Sequence, residues 1–390
     1  MRVYKNPLLT LNVEMKDDRV RLDAEGALAL PAKPILKKIN RVFADEKPIL
    51  SDGEQLIFST WIPPIPSTAF DRMIAAEVNW LLTRRIPDQT SIGITTRCPN
   101  NCIHCGASDV RGGELPFSTV TSVIDQALDL GTYLISFDGG EPTMRKDLPQ
   151  MVAHVDKSRA IATSFTSGYG LSESMARELA GAGMYAVRIS LDGADAGEHD
   201  RMRGRSGAFS DAVNGIAAAR GSGLLVDMFV VVSPANIDSL DEFYSLACDL
   251  GVHEVSLYEI IAVGRWAEHE DEVITKNDVV RLEKFQKRIN KQPDGPRVTA
   301  FPYFMGPALF GCFAGRRWMH VTATGDVLPC AYTPLSFGNV CEEPLGAIWK
   351  RIGKNPAYRG SADYCMMRNP DFRKRYIHTI PEDAEMPYRV

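Results

Sequence analysis

Residues 91–105, SIGITTRCPNNCIHC, join a strand-like apolar run to a loop that carries three cysteines in a C-x3-C-x2-C spacing. We expect Cys98, Cys102 and Cys105 to converge on one metal centre. Three cysteines suit a cubane iron–sulfur cluster, whose fourth iron then has no protein ligand and can accept a chelating small molecule. The alternative is zinc, with His104 or a distant residue as the fourth ligand. Because His104 lies between two of the ligands, using it in the same tetrahedron as Cys105 would strain the loop.

The same strand opens a series in which apolar strand-like runs alternate with helical periods, from Ser91 to about Lys291. Alternating β-α units predict a parallel sheet, and α/β proteins place ligands at the carboxyl ends of such strands. The sequence therefore predicts an α/β fold with the cysteines at the ligand-binding edge of the sheet. The six runs are SIGITT, TYLISF, AIATSF, YAVRISL, LLVDMFVVV and VSLYEII.

The segments on either side follow other patterns. Residues 1–89 contain short strand-like and helical stretches, which predict a small N-terminal α+β extension. After the charged stretch Lys291–Arg297 the alternation stops, and the rest of the chain holds four of the eight cysteines. We expect a small metal-stabilised domain there. The predicted division is therefore 1–89, 90–296 and 297–390.

The composition is that of an ordinary globular chain. Of the 390 residues, 45% are hydrophobic and 24% charged, and no stretch approaches the ~18 uninterrupted apolar residues that a membrane-spanning helix requires. A formal net charge of -5 argues against a large nucleic-acid-binding surface. Because the N-terminus lacks a secretory signal pattern, we expect a cytoplasmic protein. In that setting, cysteines favour metal or redox chemistry over a disulfide framework.

Two motifs together resemble the radical S-adenosylmethionine (SAM) superfamily. The cysteine loop, residues 97–105, matches that family's C-x3-C-x-aromatic-C pattern, with His104 in the aromatic position. One β-α unit downstream, residues 138–143 (DGGEPT) match the GGEP segment that contacts the amino group of SAM in the family. A pair of glycines lets the backbone approach a ligand closely. The resemblance implies a partial (β/α)6 barrel and a [4Fe–4S] cluster on the cysteine loop. The SAM-binding residues that it implies here are Gly139, Gly140, Glu141 and Pro142.

Further matches extend this resemblance to later strands. Residues 166–168 (TSG) lie where relatives often have Thr-Asn-Gly, and residues 188–193 (RISLDG) match the fourth-strand segment. By analogy, Ser167 and Ser190 are SAM contacts. Arg203 could pair with the SAM carboxylate through a bidentate fork, or it could instead cap a loop.

The C-terminal cysteines resemble the opening of the SPASM/Twitch auxiliary-cluster domains. The matching pattern is Cys312-x12-Gly325-x4-Cys330. Full SPASM domains continue with a C-x2-C-x5-C-x3-C run, whereas Cys365 is the last cysteine in this chain. The resemblance therefore implies one auxiliary [4Fe–4S] cluster. Its ligands would be Cys312, Cys330 and Cys365, with Cys341 as the candidate for the fourth. If Cys341 is not a ligand, one iron is open.

The implied activity is that of a radical SAM enzyme. An electron enters the cluster and cleaves SAM to methionine and a 5′-deoxyadenosyl radical, which abstracts a substrate hydrogen. The first implied substrate is a peptide or protein. The alternative is a radical transformation, such as decarboxylation, of a tetrapyrrole or other cofactor precursor, or of a lipid. A non-catalytic iron–sulfur or zinc protein is the remaining alternative, although it would not need the GGEP segment. The expected partners are an electron donor such as ferredoxin or flavodoxin and the substrate, with no nucleic acid. The sequence identifies no acid–base residue.

Overall fold

The computed structural model describes residues 2–5, 7–16, 19–44, 46–51, 55–81, 84–108, 110, 112–307, 309–360 and 362–390. Its N-terminal part is a small α+β unit. The elements are β1 (Arg2–Lys5), β2 (Thr10–Lys16), β3 (Arg19–Glu25), α1 (Ala29–Phe43), β4 (Leu50–Ser51), β5 (Leu56–Ile57) and α2 (Thr68–Leu81). β1, β2 and β3 form an antiparallel sheet, and α1 packs on β3. Leu11 and Val13 of β2 are both buried, because residues two apart on a strand share one face.

The centre of the molecule is one large sheet built from successive strand–helix units. Its strands and the helices between them are β6 (Gln89–Thr95), α3 (Phe117–Leu130), β7 (Leu134–Gly139), α4 (Leu148–His154), β8 (Ile161–Thr166), α5 (Glu173–Gly181), β9 (Met184–Ser190), α6 (Ala196–Arg203), α7 (Ala208–Gly221), β10 (Leu225–Val232), α8 (Leu240–Leu250), β11 (Glu254–Glu259), α9 (Lys276–Asn290), β12 (Arg297–Ala300), α10 (Phe301–Phe304), β13 (Trp318–Val321) and β14 (Val327–Leu328).

The order of these strands is that of a partial barrel. It runs β12-β11-β10-β9-β8-β7-β6-β13-β14. Neighbouring strands are parallel throughout, except that β13 and β14 are antiparallel. β6–β11 with their helices are the predicted (β/α)6 units. Because β12 and β14 are the two edges of the sheet, the described strands do not close into a full barrel, and the predicted fold class is confirmed.

Both edges of this sheet use strands from the segment that follows residue 296. β12 pairs with β11 at one edge, and β13 pairs with β6 near the other, so that His320 lies opposite Ser91. The division at 89 and 296 stays a prediction. The contribution of β12 and β13 shows, however, that the C-terminal segment is built onto the barrel along two strands.

The last part of the chain is largely irregular and packs beside β14 and α3. Its elements are β15 (Leu335–Ser336), α11 (Leu345–Lys354), α12 (Pro356–Arg359), α13 (Pro370–Phe372) and β16 (Tyr388–Arg389). The amino end of α11 is tied to α3, because the Leu345 N–H donates to Gln126 Oε1 at 2.8 Å. Four buried apolar side chains of α11 then face inward: Leu345, Ile348, Trp349 and Ile352. In the part of the chain that the structure describes, no helix has the length and apolar character needed to cross a bilayer.

The segment before α2 closes the amino-terminal end of the barrel. The backbone N–H of Thr60 donates to Glu254 Oε2 at 2.7 Å, and its hydroxyl donates to Asp227 Oδ2 at 3.0 Å. Trp61 donates from Nε1 to the same Asp227 oxygen at 3.1 Å. The indole ring of Trp61 also lies 3.5 Å from the guanidinium of Arg188 on β9, a cation–π contact. The N-terminal extension is thus joined to the barrel interior by buried polar contacts.

Candidate functional site

A cavity of about 350 Å³ lies at the carboxyl ends of the barrel strands. This is the size of a small-molecule site. The predicted site residues that line it are Cys98, Cys102, Cys105, Gly139, Gly140, Ser167, Ser190 and Arg203. The structure therefore brings the cysteine loop and most of the predicted SAM contacts to one place, at the sheet edge where the β-α pattern put them.

The cysteine loop is held by the carboxyl end of α6. The backbone N–H of Asn101 donates to Arg203 O at 2.9 Å, and that of Ile103 donates to Met202 O at 3.0 Å. Gly204 follows with φ +62°, a left-handed conformation that ends the helix. A side chain at Gly204 would collide with the Asn101 carbonyl, so a glycine is needed for this close approach. The loop conformation is therefore fixed by a helix about a hundred residues downstream in sequence.

Gly139 and Gly140 let the loop after β7 pass directly beside the cysteine loop. The backbone N–H of Gly140 donates to Thr95 O at 2.7 Å, and that of Glu141 donates to Arg97 O at 2.8 Å. A Cβ at Gly140 would lie 2.7 Å from the Arg97 carbonyl carbon, well inside van der Waals contact. The glycine pair is thus explained by backbone packing between two ligand-bearing loops.

Glu141 and Pro142 are buried beneath the cavity instead of lining it. The Glu141 carboxylate accepts hydrogen bonds from the Ser167 N–H at 2.7 Å, the Ser167 hydroxyl at 2.6 Å and the Thr166 hydroxyl at 2.7 Å. It therefore ties the end of β8 to the loop after β7. We expect Glu141 to position Ser167 and the glycine pair for a ligand, since its own oxygens are already occupied.

A buried ion pair supports the cysteine loop from the other side. Arg203 Nη2 lies 2.6 Å from Asp192 Oδ2, and Arg203 Nη1 lies 3.7 Å from the sulfur of Cys102. Burial alone would raise the pKa of Asp192, but the charge of the neighbouring Arg203 lowers it below its ordinary value. The guanidinium of Arg203 is therefore already engaged by Asp192, which favours the loop-supporting role over a bidentate pair with the SAM carboxylate.

The histidines near this ion pair are neutral and are tied to Asp192. His104 Nε2 lies 3.4 Å from Asp192 Oδ2, and burial lowers its pKa. His199 Nδ1 accepts from the Asp192 N–H at 3.0 Å, and burial, aided by the charge of Arg203, lowers the pKa of His199 to about 4. This contact gives His104 a role other than the fourth ligand of a zinc ion. Of the residues described, no three His, Cys, Asp or Glu side chains are grouped as a single metal ion requires.

The thiols of the cysteine loop fit an iron–sulfur cluster. Burial raises the pKa of Cys98 to about 11 and also raises that of Cys105, so both are protonated near neutral pH without a metal. Thiolates at this site therefore need the positive charge of bound iron. Cys98, Cys102 and Cys105 all open onto the cavity, which leaves room beside them for the chelating ligand of an open iron.

A second group of thiols lies in the C-terminal part. Cys312 and Cys330 are buried with 6% exposure each, and Cys365 is half-buried beside them. Burial raises the pKa of each thiol, for Cys330 to about 12, and the charges of the other thiols raise the pKa of Cys330 and Cys365 further. Three neighbouring thiols with no disulfide between them fit the ligand set of an auxiliary cluster.

Cys341 is not brought to this group. It is exposed, and its N–H donates to Asn339 Oδ1 at 2.9 Å. The N–H of the preceding residue, Val340, donates to the carbonyl oxygen of Gly325 at 2.9 Å. Gly325 lies in the turn that joins β13 to β14. Cys330 lies five residues beyond Gly325, roughly 15 Å away along an extended strand. The candidate fourth ligand from the sequence is therefore at the opposite end of the hairpin from the buried thiols.

The remaining walls of the cavity come from residues that the sequence did not single out. Phe165, Phe229 and Tyr332 form an aromatic wall, and Trp318 and His320 of β13 face the same space. The only local signal is the spacing of the last two, since residues two apart on a strand share a face. The pairing of β13 with β6 spans more than two hundred residues and cannot be seen in either segment alone.

Comparison with known proteins agrees with this arrangement. The family model described as the radical SAM superfamily matches residues 92–247, and the model of an iron-sulfur cluster-binding domain, SPASM, matches residues 312–374. An AdoMet-dependent heme synthase from Methanosarcina barkeri is 26% identical over 282 residues, covering 66% of this chain and 80% of that protein. A PqqA peptide cyclase from Streptomyces rochei is 30% identical over 294 residues, covering 72% of this chain and 79% of that protein.

A solved structure shows the same fold. Streptococcus suis SuiB bound to its precursor peptide SuiA superposes with a TM-score of 0.59 at 16% identity, covering 92% of this chain and 90% of that one. The segments matched by the two family models contain both cysteine groups, so the protein is an iron–sulfur enzyme. It belongs to the radical SAM superfamily and carries a SPASM domain. Its cofactors are SAM, the [4Fe–4S] cluster that binds SAM, and the auxiliary iron–sulfur centre of the SPASM domain.

Proposed function

We propose that this enzyme carries out a SAM-initiated radical modification of a peptide or protein. When bound, the cluster supplies the electron that cleaves SAM, and the resulting 5′-deoxyadenosyl radical abstracts a hydrogen from the substrate. In this proposal Cys98, Cys102 and Cys105 hold the cluster, and the loops at Gly139 and Gly140 receive SAM with Ser167 and Ser190. Pro142 and Glu141 fix the base of that receiving surface.

Aromatic side chains form part of the cavity lining. Phe165 and Phe229 pack edge to face, with ring centroids 5.0 Å apart, and Tyr258 stacks on Tyr332 at 5.4 Å. Phe165, Phe229 and Tyr332 line the cavity, and Tyr258 packs against the last two of them. A dry, shaped site protects a reactive radical from side reactions, which is the part of the chemistry that the protein supplies.

The charge of the cavity favours a peptide substrate over a tetrapyrrole. Among the described lining residues, the only arginines are Arg203 and Arg265, and no lysine is present. Arg203 is paired with Asp192, and Arg265 Nη1 donates to Cys102 O at 2.9 Å. A tetrapyrrole with several carboxylates would need free cations, because Arg is the usual partner of buried carboxylates. A neutral peptide segment does not need them.

The relatives provide support for both candidates. The PqqA peptide cyclase and the peptide-bound SuiB favour a peptide, whereas the heme synthase keeps the tetrapyrrole as the alternative. The peptide is favoured because both arginines of the cavity already have partners within the protein. We propose one auxiliary cluster held by Cys312, Cys330 and Cys365. An electron donor such as ferredoxin or flavodoxin would reduce the enzyme.

The experiment offers both substrate classes to the same enzyme. The protein is reconstituted anaerobically and supplied with SAM and dithionite. One sample receives the small-peptide fraction of cells that express the enzyme, and another receives iron coproporphyrin III. We expect a peptide whose mass changes only when SAM and reductant are both present, with no decarboxylation of the porphyrin. A variant with Cys98, Cys102 and Cys105 all changed to Ala is the control. Decarboxylated porphyrin with every peptide mass unchanged would contradict the proposal.

A further inference from the structure

Four polar residues on β6, β7 and β13 form a cluster in the wall of the cavity, next to the glycine pair. We call Ser91, Asp138, Trp318 and His320 the β13 subsite. Asp138, Trp318 and His320 line the cavity, and Ser91 lies fully buried behind them. Asp138 immediately precedes Gly139, so a group bound at this cluster would lie beside the SAM-receiving loop.

The hydrogen bonds behind the cavity wall hold the His320 ring in place. Trp318 Nε1 donates to Ser91 Oγ at 2.9 Å, and Ser91 Oγ lies 2.8 Å from His320 Nδ1. Because an indole N–H can only donate, the Ser91 hydroxyl accepts from Trp318, and it forms a second hydrogen bond with His320 Nδ1. Burial lowers the pKa of His320 to about 4, which agrees with a neutral ring.

Asp138 is a largely buried carboxyl without a close polar partner. Its Oδ1 has no hydrogen-bond partner among the described residues, and the 18% of its side chain that is exposed lies in the cavity wall. The nearest basic group, His320 Nδ1, is 3.6 Å from Oδ2, too far for a hydrogen bond, and that nitrogen is already hydrogen-bonded to Ser91 Oγ. Burial raises the pKa of Asp138 to about 7. A largely buried carboxylate with no partner carries a desolvation penalty that a bound donor would relieve.

We propose that the β13 subsite binds the N–H of a substrate amide, with the cavity-facing carboxylate of Asp138 as the acceptor, and that it rejects a carboxylate. The inference rests on the proposed peptide substrate and names the group by which that substrate is held. Asp138 offers an acceptor to the amide N–H, and the neighbouring His320 is neutral and supplies no positive charge. A carboxylate would instead meet the like charge of Asp138 without a free cation nearby.

Two matched fluorinated probes test this inference without turnover. N-Methyltrifluoroacetamide carries an amide and trifluoroacetate a carboxylate, and 19F relaxation titrations measure their affinities for the reconstituted, SAM-bound, oxidised enzyme. At about pH 8.5, above the pKa of Asp138, we expect the amide to bind and the carboxylate not to. Asp138→Leu should weaken amide binding about fivefold to tenfold, the loss of one hydrogen bond. Asp249→Asn, on the exposed surface of α8, should change nothing.

A second variant keeps the test valid if Asp138→Leu does not fold. Asp138→Asn preserves an acceptor oxygen and removes the charge, so it should keep the amide within about twofold and admit the carboxylate. Equal binding of both probes to the wild type, or amide binding unaffected by Asp138→Leu, would overturn the inference. Failure of the amide to bind would mean that water alone satisfies Asp138, which also overturns it. Because no turnover is measured, these outcomes are independent of whether a peptide is modified.

Discussion

The substitution Gly140→Ala tests how the glycine pair works. The added Cβ would lie 2.7 Å from the Arg97 carbonyl carbon and 2.8 Å from the Thr96 carbonyl oxygen, against 3.4–4 Å for ordinary contact. Both atoms belong to the backbone at the start of the cysteine loop, so rotation of a side chain cannot relieve the contact. The loop must therefore move by about 1 Å, and a misplacement of that size can lower a rate about a hundredfold. We expect SAM cleavage to fall by about that factor.

The assay measures 5′-deoxyadenosine by mass spectrometry, normalised to the iron content of each reconstituted protein. The matched control is Gly181→Ala at the end of α5, where a Cβ meets nothing within 4 Å. That variant should cleave SAM at the wild-type rate. If Gly140→Ala, with a normal circular dichroism spectrum, also stays within about twofold of wild type, the two loops are not packed as the structure shows and the reasoning fails.

Three other predictions concern the auxiliary thiols, the barrel closure and the buried ion pair. Cys365→Ala should lower the iron content by about four atoms per chain, whereas Cys341→Ala should leave it unchanged; equal losses would place Cys341 among the ligands. Trp61→Ala should lower the free energy of unfolding in urea by about 3 kcal/mol, because it removes a half-buried ring that lies over the buried guanidinium of Arg188; a loss below about 1 kcal/mol would show that this segment does not pack on the core. Asp192→Ala should destabilise the apoprotein by about 3–5 kcal/mol, since it leaves Arg203 buried without a counter-charge, and an unchanged midpoint in urea would disprove that pairing.

The sequence was informative where function is carried by neighbouring residues. The cysteine loop and the GGEP segment each lie within a single β-α unit, so the parallel-sheet pattern was enough to place both at one edge. Arg203 is a partial case, because the sequence predicted either a SAM contact or a loop cap and did not identify its partner. Asp192 lies eleven residues upstream, in the loop after β9, whereas Arg203 ends α6. Only the fold shows that the Asp192 carboxylate pairs with the Arg203 guanidinium.

What the sequence could not provide depends on contacts across long separations. Thr60 bonds to Glu254 across 194 residues, so an N-terminal extension that looked peripheral contributes to the interior of the barrel. His320 meets Ser91 across 229 residues, which creates the β13 subsite. Cys341 shows the converse, since its position in sequence between Cys330 and Cys365 does not bring it to them in space. These outcomes are set by strand pairing, which no local pattern encodes.

The most direct test of the account is the formation of 5′-deoxyadenosine by the anaerobically reconstituted enzyme with SAM and dithionite. We predict 5′-deoxyadenosine and methionine from the wild type, and none above background from the variant in which Cys98, Cys102 and Cys105 are all Ala. The auxiliary thiols remain intact in that variant, so its residual iron shows that the protein has folded. Cleavage retained without the three cysteines, or absent from a fully loaded and reduced wild type, would contradict the assignment of the radical-generating site to this loop.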